Sequence, residues 1–299
     1  MLKQGLAGPP TVAEYRRHAQ RGALQRGGEV TEAPVVSVVT VALNAGATLA
    51  RTIESVQQQS FASIEHVVID GGSSDGTRAL LRASLRLQDY WISESDRGIS
   101  DALNKGVALA RGRYIQFIHA DDWLSPTQIE HAVDTLERAD ADFVFGDLVF
   151  YESGVPVFRY AGDPEYGRII RRGMPALNHP TVLARRACFE RIGLFDLRYR
   201  CAMDYDWFLR LHLAGGRGVH DPRVRGHMNH DGVSNTDFHR TIREVSAIAV
   251  AHGCPPARAH LDAAFQHAKM AIGRWIKARA RPVYHTVRKS INRSYRHLT

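Results

Sequence analysis

Three stretches of the chain run from apolar, β-branched or aromatic residues straight into carboxylates. They are VVID ending in Asp70, YWISESD ending in Asp96, and YIQFIHADD ending in Asp121 and Asp122. Carboxylate oxygens are the ligands that hard divalent cations prefer, and they accept hydrogen bonds from sugar hydroxyls. The C-terminal edge of parallel strands is where open α/β sheets bind ligands. One acidic turn is ordinary surface chemistry, but three in succession predict a nucleotide site. The glycines of DGGSSDGT, residues 70–77, permit close backbone approach to a ligand. Their spacing does not suit a calcium loop, since no bidentate Glu follows.

A fourth acidic candidate is Asp204, in AMDYDWFLRL. Trp207, Phe208 and Leu211 recur there at helical spacing, which puts Asp204 at or near a helix N-terminus. It serves there as a cap, or as a base for a substrate hydroxyl. His220, His227, His230 and His239 fall in a stretch rich in Gly, Asp and Asn that reads as a loop. Their separation suits no closed zinc site, so solvated histidines are expected.

The elements that must carry these residues alternate strand and helix. VVSVVTVAL after Pro34 is a strand buried on both faces. It stops at the turn Asn44-Ala45-Gly46, and a helix follows through Leu49, Ile53 and Val56. The plan repeats with a strand at 66–69, a helix through Leu80, Leu81, Leu85 and Leu87, and a strand at 90–93. A helix through Leu103 and Val107 leads to the strand 114–118, which delivers Asp121 and Asp122. A helix at 127–138 and a strand at 142–146 complete this half. Such alternation predicts a mostly parallel sheet with helices on both faces. After residue 150 the pattern changes to a hairpin around Gly154, a basic link at 168–173, and a short helix into Gly193.

Motifs that are missing narrow the chemistry. There is no GxxxxGK[ST] loop, no GxGxxG after the first strand and no GxSxG. P-loop NTPases, dinucleotide dehydrogenases and α/β-hydrolases are therefore disfavoured. Cys188, Cys201 and Cys254 are few and far apart, which fits a reduced compartment. No secretory leader and no membrane-spanning run are expected. The net charge is +8, yet residues 263–299 hold nine Lys/Arg and no Asp or Glu, leaving −1 for residues 1–262. The basic character belongs to the tail, so nucleic acid is not expected as a partner of the whole protein. That tail divides at Pro282 into two amphipathic halves, a pattern suited to an anionic membrane surface.

The motifs VVSVVTVALN, VVIDGGSSDGT, SESDRGISDALNKGVALARGRYIQFIHADDWL and AMDYDWFLRL together resemble a family-2 glycosyltransferase of the GT-A fold. The resemblance spans residues 34–235 and is nearest to bacterial enzymes of O-antigen or exopolysaccharide synthesis. It implies an α/β fold with a GT-A, Rossmann-like sheet flanked by helices, here followed by a basic helical tail. It divides the chain into a loosely ordered arm (1–33), a nucleotide-sugar half (34–150), an acceptor and catalytic half (151–256) and the tail (257–299). Ala42, Asn44 and Asp70 would line the nucleoside pocket, with Asp96, Asn104 and Lys105 nearby. Asp121 would hold Mg²⁺ or Mn²⁺ against the donor diphosphate, with Asp122 near the sugar. His179 and His230 would face the diphosphate or the acceptor, and Asp204 would be the catalytic base.

Two positions depart from the family pattern. His119 replaces the first Asp of Asp-x-Asp, and Met203 replaces the Glu before the base. The function implied is inverting transfer from a nucleoside diphosphate sugar, UDP-linked by preference, to a lipid-linked or polysaccharide acceptor at the cytoplasmic membrane face. A nucleotidyltransferase acting on a sugar phosphate uses similar carboxylates, but ALNAGATLA lacks its basic triphosphate loop. A non-catalytic binding module draws its support from His119 and Met203.

Overall fold

The computed structural model describes residues 9–19, 25–26, 33–86, 88–229, 237–279 and 295–297. The first half lays down strands β2 (Val36–Ala42), β3 (Ile64–Asp70), β4 (Tyr90–Ser93) and β5 (Tyr114–His119), after a two-residue β1 (Gln25–Arg26). They stand in the order β4-β3-β2-β5, every neighbour parallel. β2 and β3 are buried along their whole length, as their β-branched runs require. Side chains alternate between faces: Val39, Val41, Val67 and Ile69 enter one core layer, Val36, Val38 and Val68 the opposite side.

Helices α2 (Leu49–Gln57), α3 (Thr77–Ser84) and α5 (Gln128–Ala139) cover one face. The other face is covered by α4 (Ile99–Leu109), α6 (Arg186–Ile192) and α7 (Met203–Leu213). A further helix, α1 (Val12–Ala19), joins this second layer from the segment expected to be a loose arm. Val12 and Tyr15 are buried, and the Tyr15 hydroxyl donates to Asp101 on α4. The helix is short and its apolar residues few, so its docking was invisible in composition.

Beyond β5 the sheet turns antiparallel. β9 (Leu183–Arg185) lies between β5 and β7 (Phe143–Glu152), antiparallel to both. β7 runs six residues further than expected from sequence and forms the predicted hairpin with β8 (Val155–Tyr160). Ser153 (φ 50°) and Gly154 (φ 80°) make its two-residue turn.

Two expectations fail in this half. Residues 218–229 are not a loop but a twelve-residue strand, β10, parallel to β7 and paired at its end with the short β6 (Trp123–Leu124). His220 and His227 are thus sheet residues: His220 Nε2 meets Asp147 at 2.8 Å, and His227 stacks on Trp123. Sheet pairing overrode a composition rich in turn residues. His230 lies outside the described residues. The basic tail begins as expected in α9 (Pro256–Arg279), packed on α8 (Phe238–Ala251). Its second half is not helical throughout, because β11 (Tyr295–His297) pairs antiparallel with β8. No described helix is long and apolar enough to cross a membrane.

Candidate active site

The C-terminal ends of β2, β3, β4 and β5 converge on one edge, and their loops are pinned to one another by hydrogen bonds. Gly71 N–H donates to the Ala42 carbonyl at 2.8 Å, and Asn44 N–H donates to Ser73 Oγ at 2.7 Å. Ser74 N–H returns to Asn44 Oδ1 at 3.0 Å. Asn44 takes a left-handed φ of 50°, which Asn tolerates better than most residues. Asp70 is fully buried and accepts from the Ser73 N–H and hydroxyl and from the Ser93 hydroxyl. Its carboxylate therefore organises the glycine loop from beneath. Asp96 stands across from that loop, and a Cβ on Gly71 would lie 2.6 Å from Asp96 Oδ2. Glycine there lets the two loops close up. Leu43, 61% exposed, sits beside Asn44 on the same rim. It continues the apolar run of β2 one residue past the sheet, which is its signal in the sequence.

Asn104 and Lys105 do different work from the nucleotide contacts expected of them. Asn104 is buried and bonds both backbone groups of Phe195. The Lys105 ammonium is held by Glu94 at 2.7 Å, the Ser95 carbonyl at 3.2 Å and Asp101 at 3.7 Å. Both residues fix the loops around the edge. A polar pair on one helix turn looks alike in sequence whether it faces a ligand or a neighbouring backbone.

At the end of β5 the chain turns, with Asp122 N–H donating to the His119 carbonyl at 3.1 Å. The Asp122 backbone carbonyl is held by Thr52 Oγ1 at 2.7 Å. Asp122 is buried, and neither carboxyl oxygen has a hydrogen-bond partner among the described residues. Burial, reinforced by the neighbouring Asp121 charge, pushes its carboxyl well above the usual range. An unpartnered buried carboxyl is costly, and the described residues supply it no partner. Asp121 itself is half-buried, with no ion-paired cation among the described residues.

Behind this turn, His179 stacks on Phe117 (5.3 Å between ring centroids) and lies 5.8 Å from His119. Burial, then the nearby His119, pushes His179 down to about 3; burial also lowers His119 despite Asp121. Both rings are neutral at physiological pH, and His179 Nε2 has no partner among the described residues. No three His, Cys, Asp or Glu side chains converge as a closed ion site among the described residues. The donor set, with Asp121 beside the orphaned oxygens of Asp122 and a neutral imidazole, fits a cation that arrives already bound to a diphosphate.

Phe195 packs on Phe117 and His179, and the chain continues from it into α7. Asp204 occupies the second position of that helix and is buried. It does not cap the helix; its Oδ1 accepts the N–H of Tyr205, at 2.8 Å. Burial lifts its carboxyl to about 6, with the N–H groups of Tyr205 and of Asp204 itself pulling the other way. Such a group is ionised near neutrality and still basic enough to take a proton. Next to it, Asp206 is spent on Arg210 and His252.

One arrangement escaped the sequence reading. Arg51 lies over Trp123 (3.2 Å from Cζ to the ring centroid), His227 stacks on Trp123, and Tyr151 closes the side. This box walls the edge next to Asp121 and Asp122. Trp123 follows the carboxylates directly, but nothing in the sequence links it to Arg51 or His227.

A strand edge bearing carboxylates, a sheet turning from parallel to antiparallel, and a buried acid on a later helix define a GT-A glycosyltransferase. The fold agrees with that of S. aureus TarS residues 1–349 in complex with UDP-GlcNAc (TM-score 0.56, 18% identity), covering 75% of this chain and 69% of that one. Against a longer TarS chain the coverage is 41%. The mannosyltransferase PcManGT from Pyrobaculum calidifontis, in complex with GDP-Man and Mn²⁺, is similar over 84% of this chain and 76% of its own (TM-score 0.55, 20% identity).

Residues 37–193 match the description Glycosyl transferase family 2, and the chain belongs to that family. Among curated relatives, a PGL/p-HBAD biosynthesis glycosyltransferase of Mycobacterium bovis is 32% identical over 189 residues, 60% of this chain and 70% of its own.

Proposed function

We propose that the enzyme inverts an anomeric centre, moving a sugar from a nucleoside diphosphate, UDP by preference, to a glycan or lipid-linked glycan acceptor of the cell surface. The observation that carries this reading is Asp204: a buried carboxyl at about 6, unpaired with any cation among the described residues, at the start of α7. A protein that only bound nucleotide sugars would have no use for a costly buried base.

In this reading Ala42, Asn44, Asp70 and Asp96 shape the nucleoside side, and Asn104 and Lys105 hold its loops. Asp122 accepts a hydroxyl of the donor sugar, and His179 faces the diphosphate or the acceptor. Asp204 takes the proton of the acceptor hydroxyl as that oxygen bonds to the anomeric carbon. The bond to the diphosphate oxygen breaks on the opposite face, and the diphosphate leaves with the electron pair. When bound, a Mg²⁺ or Mn²⁺ ion held by Asp121 supplies positive charge for the departing diphosphate. No covalent nucleophile is needed.

Residues 34–150 serve the donor, 151–256 the acceptor, and 257–299 attach the enzyme to the cytoplasmic face of the membrane. Support for attachment comes from α9, where Leu261, Phe265 and Ile272 are 63%, 62% and 53% exposed on a helix that also carries Arg258, Lys269, Arg274, Lys277 and Arg279. The test of the reaction is Asp204→Asn. Turnover should fall about 10³-fold or more with donor binding retained; near-native turnover would remove Asp204 from its role.

A further inference from the structure

Helix α7 starts without a cap of its own. Its N-cap position is Ala202, whose side chain accepts nothing. The carboxylate of Glu244, on α8, reaches across instead and gathers three successive backbone N–H groups. Its Oε2 accepts from Arg200 at 3.0 Å, Cys201 at 2.7 Å and Ala202 at 3.0 Å. Arg240, one turn earlier on α8, holds the other oxygen at 2.9 Å. A negative charge before the first turn also complements the helix dipole. Burial works against this carboxylate, but the N–H groups and Arg240 outweigh it and keep it ionised.

A second tie joins the same two helices. His252, directly after α8, contacts Asp206 Oδ1 at 3.2 Å. Asp204 lies between the two ties, two residues from each. Among the described residues its own carboxyl is held by backbone N–H groups at the start of α7, so that backbone sets where its proton-accepting oxygens stand.

We infer that Glu244 is a positioning residue for the reaction, fixing the loop-to-helix entry that aims Asp204 at the acceptor hydroxyl. This rests on the reading of Asp204 as the base. In a chain whose Met203 cannot serve as a carboxylate beside the base, an acid some forty residues later in sequence steadies it.

Positioning predicts a split that loss of folding does not produce. Glu244→Ala should lower kcat about 10- to 100-fold, the range for small misplacements of a reacting group, with donor KM changed by less than about threefold. Glu244→Gln should recover most of that loss, since its amide oxygen still accepts the N–H groups. Wild-type kcat in folded Glu244→Ala would overturn the inference. So would a proportional change of kcat and donor KM that Gln does not relieve. Should the Ala variant not accumulate, Glu244→Asp, with its carboxylate drawn back by one methylene, should lower kcat at constant donor KM; unchanged kcat there also overturns it. Asp204→Asn, measured in parallel, separates the two claims. An inactive Asn variant beside a fully active Glu244→Ala refutes the role of Glu244 alone, whereas an active Asn variant refutes the base itself.

Discussion

The side-chain amide of Asn104 closes two hydrogen bonds on the backbone of Phe195, Nδ2 to its carbonyl and Oδ1 from its N–H, both 2.9 Å. This clip joins α4 to the loop that enters α7. Truncation to Ala would leave two buried backbone groups unpaired, each costing about 1–3 kcal/mol. Asn104→Ala should lower the melting temperature markedly, while the folded fraction binds donor with near-native affinity. A tenfold weaker donor affinity with unchanged stability would return Asn104 to the ligand.

Asp204 should trade stability for activity. Its carboxyl stands at about 6 when folded against 3.8 in the free side chain. The native state thus binds more protons than the unfolded chain between these values. Its stabilising contribution is complete below pH 4 and is lost as pH rises through 6. Asp204→Asn removes that loss and should be more stable than wild type at pH 8 by about 1–3 kcal/mol. The acidic limb of kcat/KM in the wild type should fall near 6. A limb near 4, or an Asn variant less stable at pH 8, would contradict the burial argument.

Gly71 faces Asp96 with no room for a methyl group: an added Cβ would lie 2.6 Å from Asp96 Oδ2. The Asp96 carboxylate is the far end of a half-buried side chain, held by the Gly98 N–H at 2.8 Å, and a turn of that side chain relieves the contact, so Gly71→Ala should cost little stability. Donor affinity should nevertheless drop about tenfold as the rim is rearranged. Titration calorimetry with donor would show it; unchanged affinity would take this rim out of the site.

The exposed residues of α9 make a gentler test of membrane attachment than deletion. Leu261→Ser with Phe265→Ser changes two exposed side chains, so stability should shift by no more than about 0.5 kcal/mol per site. Binding to vesicles containing anionic lipid should fall steeply. Equal binding by the variant would exclude this face.

The first half of the fold was legible because its strands are buried on both faces and spell themselves out as β-branched runs. β2, β4 and α5 fall within a few residues of their expected limits. Asp70, Asp96, Asp121 and Asp122 fall at one edge of the sheet because each lies at, or within three residues of, the C-terminal end of a strand, which the sequence already spells out. What sequence could not supply was partnership. Nothing local distinguishes an Asn104 spent on Phe195 from one facing a nucleotide, or marks Glu244 as a cap for a distant helix. β10 was hidden because Gly226 and Pro222 suit turns, and only the neighbouring β7 makes a strand of them.

Whether the edge of β2–β5 holds a nucleotide sugar through Asp121 is decided most directly by melting the protein with UDP-, GDP-, dTDP- and CMP-sugars, with and without Mn²⁺. One nucleotide should raise the melting temperature, only with the ion, and at 100 times its Kd by the equivalent of about 2.7 kcal/mol. Asp121→Ala should abolish the rise while melting like the wild type alone. No rise with any nucleotide sugar, or an undiminished rise in Asp121→Ala, would contradict this assignment.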